Sequence, residues 1–246
     1  RAAKVQPGQS WLKRTILEMG GKDALVVDQT ADLELAAQAA VTSAFGFQGQ
    51  KCSALSRLIV IDEVHDEVVE RVRVLTEKLS IGPADENHDV AAVINERQYQ
   101  KILGYIEAGK SEARLVAGGT AAEGNGWYIA PTVFADVPVG ASIACDEIFG
   151  PVLSVLRARD FDHALEIVNG SVYALTGGVI SKDRERLARA RADFQAGNLY
   201  LNRKITGALV GVQPFGGFKM SGSNTKAGGP DYLKNFMEMK SITERF

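Results

Sequence analysis

At 246 residues with 46% hydrophobic content, the chain is long enough to bury a sizeable core, and its length suits one large domain or one domain with an appendage. A formal net charge of −2, with Lys and Arg scattered among acids, gives no reason to expect a polyanion and argues against a nucleic-acid partner. No stretch reaches the roughly 18 to 20 apolar residues that a bilayer crossing takes, so no membrane partner is expected.

In chain order, DALVV (23–27) reads as a short buried strand, and TADLELAAQAAVTSAF (30–45) as a helix capped by Thr30. RLIVID (57–62) is a second strand and DEVVERVRVLTEKL (66–79) an amphipathic helix. NERQYQKILGYIEAG (95–109) is a third helix, ahead of the strand ARLVAGG (113–119). After the turn EGNG come two strand-like runs, WYIAPTVFADV (127–137) and GPVLSVLRA (150–158). The helix DFDHALEIVNG (160–170), the strand LTGGVIS (175–181), the helix DRERLARARADFQAG (183–197) and the strand NLYLN (198–202) follow. The fold class this alternation predicts is α/β: a parallel sheet covered by helices, with ligands gathering beyond the carboxyl ends of the strands.

From Lys204 the texture changes. KITGALVGVQPFGGFKMSGSNTKAGGPDY (204–232) is Gly-rich, aperiodic and too long for an ordinary connector, as functional loops often are. The end, MEMKSITERF (237–246), alternates like an edge strand that pairs with another subunit. Cys52 and Cys145 make no disulfide framework, which suits a reducing compartment: cytoplasm, or alternatively the mitochondrial matrix. A first residue of Arg1 instead of Met, behind which RAAKVQPGQSWLKR shows no signal-peptide core, suggests a fragment of a longer protein.

Phosphate cradles of the GxGxxG or Walker A type are absent, as are HExxH and GxSxG. His65, His88 and His163 stand apart from one another and from cysteine pairs; they read as surface or loop residues, and no metal site is expected. Cys145, flanked by apolar residues in IACDEIFG, reads as a packing cysteine.

Cys52 reads differently. It follows a glycine-punctuated polar turn in GFQGQKCSALSR, where Gly46 and Gly49 loosen the backbone, Lys51 offers positive charge, and the amides of a turn beginning at Cys52 can stabilise an oxyanion. Glu18, in ILEMGGKD, follows an apolar pair and precedes two glycines, a setting that suits a carboxylate at a strand end facing a cleft. From the residues alone a catalytic and a structural cysteine both stay open, as do a cleft and a surface position for Glu18.

Four blocks in order, LEMGGKD, GQKCSA, EIFGPV (147–152) and PFGGFKMSG (214–222), resemble the signature blocks of the aldehyde dehydrogenase superfamily. The resemblance implies that Cys52 attacks an aldehyde to give a thiohemiacetal, that hydride passes to NAD, and that Glu18 activates the water that hydrolyses the thioester. It also implies that Glu147 holds the nicotinamide ribose hydroxyls, that Phe149 borders the nicotinamide ring, and that the backbone of Met19 and Gly20 approaches the carboxamide. Ser53 after the nucleophile and SGSNTKAGGPDYLKNFMEMKSITERF (221–246) resemble the branch that oxidises glutamate semialdehyde, the open form of 1-pyrroline-5-carboxylate, in proline catabolism. In that branch Ser53 and the main-chain amides of Gly228 and Gly229 would anchor the substrate carboxylate, with Phe236 packing on its aliphatic part.

Family members are about twice this length. The resemblance therefore makes residues 1–20 the remnant of an N-terminal NAD-binding domain that also supplies an oxyanion-hole asparagine, 21–205 the catalytic domain, and 206–246 the anchor loop and oligomerisation strand. It implies a homo-oligomer, a dimer or trimer of dimers in the full enzyme, and an inactive chain in isolation. Another semialdehyde dehydrogenase and a catalytically silent assembly module remain as alternatives.

Overall fold

The computed structural model describes residues 3–246. A seven-stranded sheet runs in the order β3-β4-β5-β2-β1-β7-β8, from β1 (Asp23–Val27), β2 (Leu55–Ile61), β3 (Arg114–Ala117), β4 (Thr132–Ala135), β5 (Val152–Ala158), β7 (Thr176–Ile180) and β8 (Asn198–Leu201). Every pairing is parallel except that of β3 with β4, as expected from the strand–helix alternation. A separate two-stranded ribbon pairs β6 (Tyr173–Ala174) with β9 (Phe218–Lys219) and pins the long loop to the body; at two residues each, these strands are too short to leave a periodic trace in the sequence.

Central strands bury both faces, which explains why they read as unbroken apolar runs. Leu25 and Val27 of β1 and Leu58 and Val60 of β2 face one core, filled by α1 (Leu33–Phe45) and α2 (Asp62–Glu77). Ala24, Val26, Ile59 and Ile61 face the other, covered by α3 (Glu96–Glu112), α5 (Phe161–Asn169) and α6 (Arg184–Asp193). A single-turn helix, α4 (Ser142–Cys145), precedes β5.

Several local expectations change. Asp32, not Thr30, caps α1, its carboxylate accepting from the amides of Glu34 and Leu35; Thr30 instead donates to Asp28. Helix α2 starts directly at the end of β2 with Asp62 and Glu63 in its first turn, four residues earlier than its periodic part suggests. His65 is fully buried rather than on the surface, because its place on α2 faces the core. Cys145 is exposed rather than packed, its thiol donating to the Val139 carbonyl. Residues 237–246 join no sheet and lie exposed; Arg14 ties their start down through the Met237 carbonyl and Glu238.

Candidate active site

The sequence-predicted residues gather at the amino ends of the parallel strands, not at the carboxyl ends. Glu18, Met19 and Gly20 precede β1, Cys52 and Ser53 precede β2, and Glu147 and Phe149 precede β5. At the carboxyl edge the buried polar groups engage one another, and a separate pocket there is lined by Asp160, Asp183 and Arg186. Asp28, just past β1, accepts from Thr30 and Ser181 and pairs with Arg186.

The turn carrying Cys52 is strained. After α1 the chain passes through Phe47, Gln48 and Gly49 with φ of 59°, 58° and 65°, left-handed geometry that costs a non-glycine residue roughly 1 to 2 kcal/mol. Gly49 is required by space as well, since a Cβ there would stand 2.3 Å from the Gly150 carbonyl oxygen. Gln50 holds the turn, its amide bonding to the Phe47 carbonyl and its side chain accepting from Ile94. Phe149, at φ 60°, is a further left-handed residue beside it. Strain collected in one place is a mark of functional sites.

Two more glycines let the Glu18 segment approach. A Cβ on Gly20 would lie 2.5 Å from Glu147 Oε2, and one on Gly21 would lie 2.3 Å from the Cys52 carbonyl oxygen. The Gly21 amide donates to Glu147 Oε1 at 3.0 Å. Residues 17–19 form a short antiparallel contact with 221–223, through Met19 N to the Ser221 carbonyl and a bridge between Glu18 and Gly222. Glu18 is exposed. It leaves the same edge of the sheet as Cys52, on the neighbouring strand.

A cleft of about 670 Å³ brings together Cys52, Ser53, Phe149 and Gly228, with Leu209 and Val210 of the long loop on its far wall. Gly228 is left-handed at φ 69° and its carbonyl accepts from Gly211. Glu18, Met19, Gly20, Glu147, Gly229 and Phe236 do not line this cleft. Gly229 spends its N–H on the Lys226 carbonyl, so it is not the bare donor expected of it. Phe236 is exposed and packs edge-on against Tyr232 at 5.4 Å.

Electrostatics also depart from the sequence reading. Lys51 lines the same cleft as the thiol, with its ammonium 5.7 Å from the Phe47 ring centroid. Burial pushes the Cys52 thiol up, and the Asp23 and Glu147 carboxyls add to that, while the amides of Ser53 and Cys52 itself pull the other way. Beneath the turn lie buried charges that the sequence reading left unassigned. Lys22 is 2% exposed, and burial followed by the Arg57 charge lowers it to about 7. Arg57 is lowered to about 10 by burial and donates only to the carbonyls of Lys22, Ile167 and Val168. The one signal available was a Lys-Asp pair abutting an apolar strand, which is where ordinary strands carry a polar flank.

A nicotinamide nucleotide suits the edge nearby. Glu147 keeps acceptor capacity beyond its bond to Gly21, Phe149 offers an aromatic face, and the glycine pair leaves no side chain in the way.

The sequence matches the Aldehyde dehydrogenase family over residues 2–242. The chain belongs to this family. Among aldehyde dehydrogenases it is 59% identical over its whole length to the 1-pyrroline-5-carboxylate dehydrogenase of Geobacillus thermodenitrificans, and 56% identical to that of Bacillus subtilis, in each case matching 48% of the relative. A solved 1-pyrroline-5-carboxylate dehydrogenase from Thermus with bound NAD superposes with a TM-score of 0.98 at 59% identity, over all of this chain and 48% of that one. Betaine aldehyde dehydrogenase from Staphylococcus aureus superposes at 0.85 with 29% identity, over 90% of this chain and 45% of that one. The chain thus spans about half the length of the relatives it matches.

Proposed function

We propose that this chain is the catalytic half of an NAD-dependent dehydrogenase that oxidises L-glutamate γ-semialdehyde, the open form of 1-pyrroline-5-carboxylate, to L-glutamate. The observation that carries the reading is the sharing of one cleft by Cys52, Ser53 and Gly228, a nucleophile with a hydroxyl donor and a left-handed glycine turn beside it. The names of the relatives support the same substrate.

In this reading the Cys52 thiolate attacks the aldehyde carbon, and the amides of Cys52 and Ser53 are the donors at hand for the oxygen that gains charge. NAD, when bound beside Glu147, Phe149 and the Met19–Gly20 backbone, supplies the hydride acceptor. The acyl group then rests on Cys52 as a thioester; Glu18 takes a proton from water, the hydroxide adds, and the thiolate leaves. Ser53 and the Gly228 loop hold the substrate's α-carboxylate. The missing half of the active site comes from an N-terminal nucleotide-binding domain, and residues 237–246 find their ladder partner in a second copy of the full enzyme.

The test is a chimera that joins the N-terminal half of the Geobacillus relative to this chain. It is expected to reduce NAD with glutamate semialdehyde, with C52A slower by at least about a thousandfold and E18Q stalled as an acyl-enzyme. Undiminished turnover in C52A would overturn the reading. The isolated chain is expected to show no turnover in the same assay.

A further inference from the structure

Asp23 opens strand β1 directly beneath the nucleophile turn and is completely buried in the protein. Its Oδ1 accepts from the Thr176 amide at 2.7 Å, whereas Oδ2 has no hydrogen-bond partner among the described residues. A buried carboxylate oxygen left without a donor is costly and rare. This one lies against the backbone of the nucleophile turn. A Cβ on Gly21 would lie 2.7 Å from Asp23 Oδ2 on one side and 2.3 Å from the Cys52 carbonyl oxygen on the other, so one bare glycine separates the two. Thr176 closes the circuit by donating its hydroxyl to the Ser53 carbonyl at 3.4 Å. The β1–β2 register slips by one residue here, between Asp23 and Ala24, the kind of bulge that re-aims side chains at a site.

We propose that Asp23 is a positioning residue for the Cys52 nucleophile: its buried carboxyl, bonded to Thr176 through one oxygen and unpaired at the other, forms the floor of the turn and couples its own proton to that of the thiol. The inference rests on the reading of Cys52 as the nucleophile. The charged groups facing this carboxyl are Arg57 from β2 and Glu147 from the segment before β5, with Lys22 next to it in the chain. Arg57 gives its donors to backbone carbonyls and forms no ion pair with it. Burial therefore pushes the Asp23 carboxyl well above the usual range, Glu147 adds to that, and the Thr176 amide bond and the Arg57 charge offset it only in part. The Asp23 carboxylate raises the Cys52 thiol, so a charge on either opposes a charge on the other and their protons leave as a coupled pair. A bridge to Thr176 alone would need no acid, since an amide oxygen accepts equally well.

D23N separates the two roles, keeping the acceptor for Thr176 while removing the proton. The readout is the rate of iodoacetamide labelling at Cys52 against pH on the 246-residue chain, resolved by peptide, with the exposed Cys145 as internal reference. The wild-type curve is expected to be shallower than a one-proton titration. In D23N it should steepen to one proton and move to lower pH, so that at about pH 8.5 Cys52 labels roughly threefold to tenfold faster while Cys145 is unchanged. Superimposable curves for the two proteins overturn the inference. If D23N fails to fold, the wild-type curve decides alone: a simple one-proton shape overturns the coupling and a broadened one upholds it. Failure of the nucleophile reading looks different, because the C52A chimera would then still turn over.

Discussion

The two edges of the central sheet treat buried charge in opposite ways. At the carboxyl edge Asp28 is buried, yet Thr30, Ser181 and Arg186 all engage it. Burial alone would raise its pKa, but the two hydroxyls and the guanidinium outweigh it and hold the carboxyl below its usual range. The N-caps of α5 and α6, Asp160 and Asp183, complete that edge. At the amino edge Asp23 keeps an orphaned oxygen, Lys22 is lowered to about 7, and the backbone passes through the left-handed residues Phe47, Gln48 and Phe149. Strain and orphaned atoms occur at both edges, since Asp136 and Asn202, just past β4 and β8, are left-handed and His65 Nε2 in the first turn of α2 lacks a partner among the described residues. The amino edge differs in setting its unpaired carboxyl oxygen and its buried lysine beside a thiol.

Removing charge should therefore change stability with opposite sign at the two edges. K22M is expected to stabilise the chain at neutral pH by roughly 3 to 5 kcal/mol, because the unfolded state holds the lysine proton and the folded state resists it. The sign follows from the lowered value: between about 7 and the ordinary 10.5 the unfolded chain binds more protons, so the Lys22 contribution to stability rises with pH. The gap between wild type and K22M should close over that window in urea melts, and a gap constant with pH would contradict the account. D28A should do the reverse, costing about 2 to 3 kcal/mol in the same melts by stranding Arg186, Thr30 and Ser181. A stabilised D28A would erase the contrast.

Smaller effects sharpen the amino edge. In the chimera, S53A is expected to raise KM for glutamate semialdehyde about tenfold with kcat within about twofold, and to leave an aldehyde without a carboxylate nearly unaffected. An equal loss for both aldehydes would mean that Ser53 shapes the nucleophile and not the anchor. Smallest of all, K51A should alter the Cys52 labelling rate by less than about twofold, since Lys51 rests on Phe47. A large drop would restore Lys51 as the activator that the sequence suggested.

Much of the fold was legible because periodicity reports directly on burial. The runs DALVV and RLIVID and the period of α2, α3 and α5 placed the sheet and its covers, and the loss of period after Lys204 marked the cleft loop. What stayed hidden depends on neighbours distant in sequence. Asp32 outcompetes Thr30 as a cap by two residues of geometry, and His65 is buried because α2 turns that position inward. The edge of the sheet that carries the site was unreadable too, since strand alternation is silent about which loops satisfy their own polar groups. Cys52 was singled out by its polar setting, but burial raises its thiol, and the first charge to add to that is Asp23, twenty-nine positions earlier by sequence number and adjacent only because β1 and β2 pair. The 237–246 tail shows the same limit, because its alternation finds no ladder among the described residues.

The most direct test of the central claim is peptide mapping of the E18Q chimera after incubation with glutamate semialdehyde and NAD. The account predicts a glutamyl adduct on the tryptic peptide that begins at Cys52, CSALSR, and none on the peptide containing Cys145. An adduct confined to any other residue, or a chimera that turns over with Cys52 never acylated, would contradict it.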